Sequence, residues 1–385
     1  MKITILGPAY PFRGGIAALN ERLAKELIKE GHQVDIVSFK LQYPSFLFPG
    51  KSQFTDQPQK FTFRITREIN SINPINWILT GRKIKKAEPD LLIVRFWIPF
   101  MAMSLGSICR IVKSSTKTTV ISIADNIIPH EKRIGDDFLC NYFIKSVDGF
   151  LTMSESVLSD LTKFSNKKPA LLSPHPIYDH YGEIEPREIA LEKLSLSADF
   201  RYILFFGFIR DYKGLDLLLK AFAHPFFREN KIKLIVAGEF YSDEAVYTNM
   251  ISDLNIGDII ELRTDYIANS DVPNYFNCVD IVTQPYKSAT QSGVTQIAYH
   301  FNKPMLVTDV GGLAEIVPNL KAGYVVKPHP SEIAEALIDF FSKNRLDEFV
   351  KNVIIEKKRF SWDKMTSSIY HLAKRIGEDV KISHK

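Results

Sequence analysis

The sequence has few cysteines and no long apolar run, and each scarcity excludes a class of protein. Among 385 residues there are three cysteines, Cys109, Cys140 and Cys278, which are widely spaced and odd in number. This pattern argues against a disulfide framework and against a zinc site. No uninterrupted stretch of about 18 apolar residues occurs, so we expect no membrane-spanning helix. The first residues, "MKITILGPAYPF", are too short and too strand-like for a signal peptide, which predicts a cytoplasmic protein.

The net charge of +5 is unevenly distributed along the chain. Residues 1–190 hold 25 Lys and Arg against 19 Asp and Glu, whereas residues 191–385 hold 24 against 25. The excess in the first half indicates either solvated helix faces or a peripheral contact with an anionic surface, such as the inner face of a membrane. The densest basic cluster is "GRKIKKAEPD", residues 81–90. No nucleic-acid-binding motif accompanies it, so we predict no nucleic-acid partner.

Strand-like and helix-like segments alternate along both halves of the chain. The first half contains the apolar runs "KITILG", "QVDIVSF", "DLLIVRFW", "TTVISIA" and "DGFLTMS", and the second half contains "YILFFGF", "KLIVAG", "IIELRT", "VDIVTQP" and "PMLVTDV". This alternation predicts an α/β fold with two Rossmann-like, doubly wound parallel-sheet domains. We predict a first domain at 1–185, a linker at 186–199, a second domain at 200–361, and a C-terminal helix at 362–385 that packs back on the first domain. Two such domains are expected to face a cleft, where ligands usually bind.

Two glycine turns follow predicted strands at places where an anion could bind. In "GPAYPFRGG", Gly14 and Gly15 would let backbone N–H groups approach a ligand just before a helix. This is not the G-x-G-x-x-G fingerprint, and a plain strand-to-helix loop is the alternative. In "FFGFIRDYKGLDLLLKAF", Arg210 and Lys213 suit a diphosphate, because Arg can fork to two oxygens and Lys adds a point charge. Two solvated loop cations are the alternative there.

A third stretch, "QPYKSATQSGVTQIAYHFNKPMLVTDVGGLAEIV", repeats the strand–glycine–helix pattern twice. Ser292 and Gly293 predict the start of a helix whose free N–H groups could hold phosphate oxygens. Thr290 and Gln291 would add side-chain donors, and Glu315 follows the second glycine turn. A helix cap alone is the alternative, although a cap needs one small polar residue and this loop has several.

Asp125 follows the predicted strand "TTVISIA". A carboxylate in such a strand-end loop could take a proton from a bound hydroxyl, or it could orient a bound ligand. A loop with an Asx turn is the alternative.

Several of these motifs together carry a family resemblance. "GFIRDYKGLDLLLKAF", "PYKSATQSGVTQIAYHFNKP" and "TDVGGLAEIV" resemble the donor domain of the glycosyltransferase family 4 group, on the GT-B fold, in a subgroup with Thr, Gln and Ser in the "SATQSG" loop. "GPAYPFRGGIAALNERLAKELIKEGHQV" resembles the N-terminal opening of that family, and "FSWDKM" its closing helix. The resemblance covers nearly the whole chain.

The resemblance implies a retaining, hexosyltransferase-type enzyme of polysaccharide biosynthesis. Such an enzyme moves a sugar from a nucleoside-diphosphate sugar to a hydroxyl of a glycan or lipid-linked acceptor, with no cofactor and no essential metal. By position, Arg210 and Lys213 would hold the donor diphosphate, and the base would lie near Tyr266 and Ile267. The first half would bind the acceptor, and Asp125 stands where the group often has a histidine near the reacting sugar.

The sequence departs from the family pattern at three positions. The family usually has its Arg at the position of Phe208, and its two glutamates fall on Ala289 and Ile297. Either Gln296 or Glu315 could replace the glutamate that binds the ribose. Three other functions stay open, namely a sugar-nucleotide epimerase, a phosphorylase and a non-catalytic sugar-nucleotide-binding subunit.

Overall fold

The computed structural model describes residues 1–44, 53–55, 63–114, 117–128, 133–164, 167–289 and 292–383. Two compact units make up the chain. Unit 1 is Met1–His175 together with Trp362–Lys385, and unit 2 is Pro176–Ser361. The two parallel-sheet units confirm the predicted fold class.

Unit 1 is built on a seven-stranded parallel sheet with the order β3-β2-β1-β4-β5-β6-β7. Its strands are β1 (Lys2–Leu6), β2 (Gln33–Leu41), β3 (Ile65–Asn70), β4 (Leu91–Phe96), β5 (Thr119–Ala124), β6 (Gly149–Thr152) and β7 (Ala170–Leu172). Its helices are α1 (Gly15–Lys29), α2 (Pro74–Ala87), α3 (Ala102–Lys113), α4 (Asp136–Ile144), α5 (Glu155–Phe164) and, from the end of the chain, α15 (Trp362–Ser383).

Helices cover both faces of the unit 1 sheet. Every residue of β4 is buried, which explains why this strand is apolar in sequence except for Arg95. On one face α3 packs between α2 and α4, and these helices share a core with Leu92, Val94 and Phe96. Helices α1 and α15 contact each other, and α15 packs against β5 and β6.

Unit 2 is built on a six-stranded parallel sheet with the order β10-β9-β8-β11-β12-β13. Its strands are β8 (Arg201–Phe206), β9 (Ile232–Ala237), β10 (Ile260–Arg263), β11 (Ile281–Gln284), β12 (Met305–Thr308) and β13 (Gly323–Val326). Its helices are α6 (Arg187–Lys193), α7 (Leu215–Phe222), α8 (Pro225–Glu229), α9 (Glu244–Asp253), α10 (Val272–Cys278), α11 (Gly293–His300), α12 (Leu313–Ile316), α13 (Pro330–Ser342) and α14 (Leu346–Glu356).

The segment 176–199 belongs to unit 2, whereas the sequence predicted the end of the first domain and a linker there. Helix α6 forms within it and packs against α10. Arg187 fastens the helix, since its Nη2 donates to the carbonyl of Phe200 at 2.8 Å, and Ala190 and Leu191 are buried. This segment has two buried apolar residues among many charged ones, which is too few to produce a helical periodicity. Its composition therefore indicated a linker.

Strands β3 and β7 did not stand out in the sequence. Both lie at the edges of the unit 1 sheet. β3 carries polar and charged residues and is mostly half-buried, and β7 has three residues. Edge strands lack the continuous apolar run that marks a central parallel strand.

No described helix combines the length and the apolar character needed to cross a lipid bilayer.

Candidate active site

The loops that follow β8 and β11 meet where the strand order of the unit 2 sheet reverses. These two strands are neighbours, and the sheet grows outward from them in opposite directions. In open parallel sheets, ligands bind outside the carboxyl ends of the strands at such a point. The backbone N–H of Lys287 donates to the carbonyl of Tyr212 at 2.7 Å, which joins the two loops. Unit 2 therefore has a candidate site at this crevice.

The ammonium group of Lys213 lies in this crevice and has no carboxylate partner among the described residues. Its Nζ is 5.4 Å from the ring centroid of Tyr286. A Cβ atom on Gly207 would lie 3.0 Å from the same Nζ, so the absence of a side chain there makes room for the lysine. Burial lowers the pKa of Lys213; Tyr212 opposes that shift and Arg210 adds to it. A partly desolvated cation without a counter-charge favours an anionic ligand.

Arg210 is the second cation of the loop. Its guanidinium lies 5.1 Å from the ring centroid of Tyr241, and no ion pair to it occurs in the described part of the chain. A third cation, Lys287, pairs with Asp211 at 2.7 Å and with Asp216 at 3.0 Å. The nearby carboxylates thus neutralise Lys287 and leave the other two cations positive.

Helix α11 begins beside these cations, and Ser292 caps it as predicted. The Oγ of Ser292 accepts a hydrogen bond from the N–H of Val294 at 3.2 Å. The same Oγ lies 3.2 Å from the hydroxyl of Tyr286, whose ring faces Lys213. Tyr286 therefore links the start of the helix to the unpaired lysine, and the positive end of the helix dipole adds to the local charge.

Gly293, the first residue of α11, packs directly against Tyr178. A Cβ atom on Gly293 would lie 2.6 Å from Cε2 of this buried tyrosine. The glycine is therefore required for packing, whatever it binds. Its predicted role in holding phosphate oxygens stays a prediction, as does that of Ser292.

The remaining predicted donor residues are spread over other loops of unit 2. Thr290 and Gln291 lie outside the described residues. Tyr266 and Ile267 lie between β10 and α10, with Tyr266 exposed. Burial raises the pKa of Tyr181 to about 12, and Tyr266 adds to the shift.

The two candidate ribose acceptors differ in exposure. The side chain of Gln296 is completely buried, and neither of its amide atoms has a hydrogen-bond partner in the described part of the chain. Glu315 is exposed on α12. A ligand can therefore reach Glu315 without any rearrangement of the helix, whereas it cannot reach Gln296.

In unit 1, the predicted glycine turn leads into α1. Gly14 caps the helix at a φ of 112°, a conformation that favours glycine, and Gly15 is the first helical residue. Both are exposed, and a Cβ atom on Gly14 would meet nothing within 4 Å. The backbone at this helix start is therefore open to a ligand.

Asp125 follows β5 and forms an ion pair with Arg95 of β4. The Nε of Arg95 donates to Oδ2 of Asp125 at 2.6 Å, and its Nη2 contacts Oδ1. Arg95 is almost completely buried. Burial raises the pKa of Asp125 and Arg95 opposes this shift. A bidentate partner holds the carboxylate in place, so the geometry suits an orienting role better than proton abstraction.

Sequence reasoning missed Arg95, Tyr178 and Tyr286. A signal for Arg95 was present, since it is the charged residue within the apolar run "DLLIVRFW". Tyr178 lies in a proline-rich segment without periodicity, and Tyr286 is the third residue of the stretch "QPYKSATQSGVTQIAYHFNKP". Neither aromatic residue could be assigned its partner from sequence.

Three carboxylates of unit 1 lie close enough together to offer ligands to a cation, namely Glu26, Glu30 and Asp363. Arg22 and Lys29 pair with Glu26 at 2.7 Å and 2.9 Å. Two cations thus already supply the counter-charge that a metal ion would bring.

Comparison with known proteins agrees with this geometry. Residues 186–360 match the family described as "Glycosyl transferases group 1". D-inositol 3-phosphate glycosyltransferase 2 of Catenulispora acidiphila is 24% identical over 278 residues, which are 69% of this chain and 64% of that protein. The match thus spans less than two thirds of this relative. An uncharacterised glycosyltransferase of Methanocaldococcus jannaschii is also 24% identical, over 97% of this chain and 98% of its own.

Among solved structures, Anabaena HepE in complex with UDP and glucose superposes with a TM-score of 0.70. The superposition covers 99% of this chain and 100% of HepE at 13% sequence identity. At this identity the likeness shows the fold, which is GT-B.

Proposed function

We propose, from the premise that residues 186–360 form a glycosyl transferases group 1 domain, that this protein is a retaining, hexosyltransferase-type glycosyltransferase. It would transfer a sugar from a nucleoside-diphosphate sugar to a hydroxyl of a glycan or lipid-linked acceptor. The observation that carries the proposal is the unpaired ammonium of Lys213 at the strand-order reversal of unit 2, beside the start of α11.

The proposed donor site suits the leaving group of such a reaction. Breaking the bond between the sugar and the diphosphate leaves negative charge on the β-phosphate. Positive groups that are already in place stabilise that charge without reorganisation. Lys213 and Arg210 would supply two such groups, and the N–H groups at the start of α11 would supply dipoles. Because these groups need no metal to act, we propose a metal-independent transfer.

The acceptor side of the proposal rests on unit 1. The open helix start at Gly14 and the oriented carboxylate of Asp125 both lie at the carboxyl edge of its sheet. The name of the Catenulispora relative includes D-inositol 3-phosphate, and the HepE structure contains UDP and glucose, which are properties of those proteins. For this chain we propose a carbohydrate hydroxyl, a role in polysaccharide biosynthesis and a cytoplasmic site of action at the inner membrane face.

We propose that Glu315 binds the ribose hydroxyls of the donor, because Glu315 is exposed whereas Gln296 is buried. A carboxylate on the ribose hydroxyls would replace the family glutamate that falls on Ile297.

The donor proposal is tested by thermal unfolding in EDTA with UDP, GDP, ADP, CMP and NAD. A ligand that binds only the folded state adds about 2.7 kcal/mol of stability at a hundredfold excess over its Kd. We expect one nucleoside diphosphate to raise Tm and the rise to disappear in Lys213→Ala. Lys220→Ala is the matched control, since Lys220 is an exposed lysine of α7. It should keep the full shift.

A Tm that no nucleotide changes, or a shift that Lys213→Ala retains, would contradict the donor site. A shift that requires added Mg²⁺ would contradict metal independence. Release of nucleoside diphosphate only when an acceptor is present distinguishes a transferase from an epimerase or a phosphorylase, and donor binding without turnover would indicate a non-catalytic subunit. The comparisons give none of these alternatives support.

A further inference from the structure

Helix α12, which carries Glu315, is too short to hold its own orientation. It has four residues, and isolated helices of fewer than about 12 residues are marginal in water. The carbonyl groups of its last turn also have no partner within the helix. The position of α12, and with it that of Glu315, is therefore set by contacts from other parts of unit 2.

Arg359 supplies two of these contacts. Its Nη2 donates to the carbonyl of Ile316 at 2.6 Å and to the carbonyl of Glu315 at 3.0 Å. The hydroxyl of Tyr299, near the end of α11, donates to the same Ile316 carbonyl at 2.7 Å. The last two carbonyls of α12 are thus both occupied, and the donor that they share carries a charge, which strengthens its hydrogen bonds.

The side chain of Arg359 is itself held in place. Its guanidinium carbon lies 4.7 Å from the ring centroid of Phe360, and its Nε pairs with Glu356 at 3.5 Å. Phe360 is buried, and its ring centroid lies 4.8 Å from that of Tyr299. The guanidinium is therefore a fixed anchor for the end of α12.

The anchored helix follows the same edge of the sheet as the cations of the donor site. α12 follows β12 and the loop with Lys213 follows β8, and only β11 lies between these two strands. At about 4.8 Å between neighbouring strands, the two loops leave the sheet about 10 Å apart. Helix α11 connects them, since it begins at Ser292 beside Lys213 and carries Tyr299 near its other end.

We propose that Arg359 is a positioning residue that holds Glu315 against the ribose, so that the donor site selects ribonucleotides over 2′-deoxyribonucleotides. A carboxylate has two acceptor oxygens, which suit the neighbouring 2′ and 3′ hydroxyls of a ribose. A nucleotide without the 2′ hydroxyl leaves one of these oxygens without its donor. The inference rests on the proposed donor site and on the proposed role of Glu315, and it names the residue on which the selection depends.

The test is isothermal titration of the full chain with UDP, GDP and ADP and with the 2′-deoxy analogue of each. We expect the unchanged protein to bind the ribose form of one nucleotide about tenfold or more tightly than its deoxy form, since one hydrogen bond to a charged group is lost. Arg359→Ala should remove most of this preference, as Glu315→Ala should. Arg359→Lys keeps a charged donor for one carbonyl and should retain part of it.

Two further variants separate positioning from a general loss of structure. Arg228→Ala is the matched control, because Arg228 also donates to a backbone carbonyl, that of Asn255 at 2.5 Å, and also pairs with a carboxylate, that of Asp258 at 2.8 Å. These residues precede β10 at the opposite edge of the sheet, so this control should keep the full preference. Lys213→Ala should weaken the ribose and deoxy forms equally, since both share the diphosphate.

Different results would overturn the inference and the proposed function. Equal binding of the ribose and deoxy forms by the unchanged protein, or a preference that survives Glu315→Ala, would show that Glu315 does not bind the 2′ hydroxyl, whereas the donor site would stand. A preference that Arg359→Ala keeps, or a loss of both forms to the same extent, would show that Arg359 does not act through Glu315. An unchanged protein that binds none of the nucleotides would contradict the donor site as well.

Discussion

The carboxyl edges of the two sheets hold cations in opposite ways. In unit 1, Arg95 is buried and Asp125 neutralises it through a bidentate contact. In unit 2, Arg210 and Lys213 face aromatic rings, and no described carboxylate pairs with either of them. Both edges belong to parallel sheets whose strand order reverses nearby.

The difference distinguishes Arg95, whose charge is neutralised within the protein, from Arg210 and Lys213, whose charges can bind an anionic ligand. A buried cation that is paired within the protein is already satisfied, and its loss would leave a partner uncompensated. A cation that is desolvated without a partner costs stability, and such groups cluster at functional sites where a ligand supplies the opposite charge. Four predictions test this comparison.

The largest expected effect is on the stability of unit 1. Asp125→Ala leaves the buried guanidinium of Arg95 without a counter-charge, so we expect a loss of about 3–5 kcal/mol in the free energy of unfolding. Urea unfolding measures it. The double variant Asp125→Ala with Arg95→Met should recover most of the loss, because it removes the charge as well. A single variant as stable as the unchanged protein would show that the pair is not structural.

The next effect concerns catalysis in unit 2. Lys213→Ala should lower kcat/KM by more than about tenfold, since a hydrogen bond to a charged group contributes about 1.5–3 kcal/mol. The free energy of unfolding should not fall, because Lys213 has no ion-pair partner among the described residues and its desolvation costs stability. Steady-state kinetics with the nucleotide sugar found by thermal shift measures the effect, with Lys220→Ala as control. Equal kcat/KM in the two variants would contradict the assignment of Lys213 to the donor diphosphate.

A smaller effect is expected when a carboxylate is added to unit 2. Tyr241→Glu would place a negative group beside Arg210, as Asp125 stands beside Arg95. The neutralised guanidinium should then bind the diphosphate several-fold more weakly, whereas Tyr241→Phe keeps the ring and should bind normally. Isothermal titration with the nucleoside diphosphate distinguishes the two. Similar affinities in both variants would mean that Arg210 does not contact the ligand.

The last prediction concerns Glu21, a carboxylate of unit 1 that has a backbone partner. Its Oε1 accepts from the N–H of Tyr10 at 2.5 Å, and burial raises its pKa to about 7, against the opposing effects of Tyr10 and Lys25. The folded state therefore binds more protons than the unfolded state between about pH 4.5 and 7. Glu21 contributes stability below this window and loses it as pH rises through the window.

The measurement for Glu21 is the urea midpoint between pH 4.5 and 8. Glu21→Gln can still accept a hydrogen bond from Tyr10 but cannot ionise, so its free energy of unfolding should be higher than that of the unchanged protein at pH 8 and match it near pH 4.5. Parallel pH profiles for the two proteins would contradict the raised pKa.

Much of the fold follows from local sequence signals. Central strands such as β4 and β8 are largely apolar because helices cover both faces of each sheet. The edge strands β3, β7 and β13 were missed because they are short or half-buried, whereas the edge strand β10 was predicted from "IIELRT". Helix α6 was missed because its anchoring depends on Arg187 reaching carbonyls far along the chain.

The sequence by itself determined the α/β class, the two sheets, the glycine turns and the residue types available at the strand ends, because these depend on period and on neighbours along the chain. Only the tertiary structure decided which charges are paired. Arg95 and Asp125 are thirty positions apart and meet because β4 and β5 are adjacent in the sheet. Tyr286 meets Lys213 in the same way, across the junction of β8 and β11. Strand order brings distant side chains together, and no local pattern encodes which of them will touch.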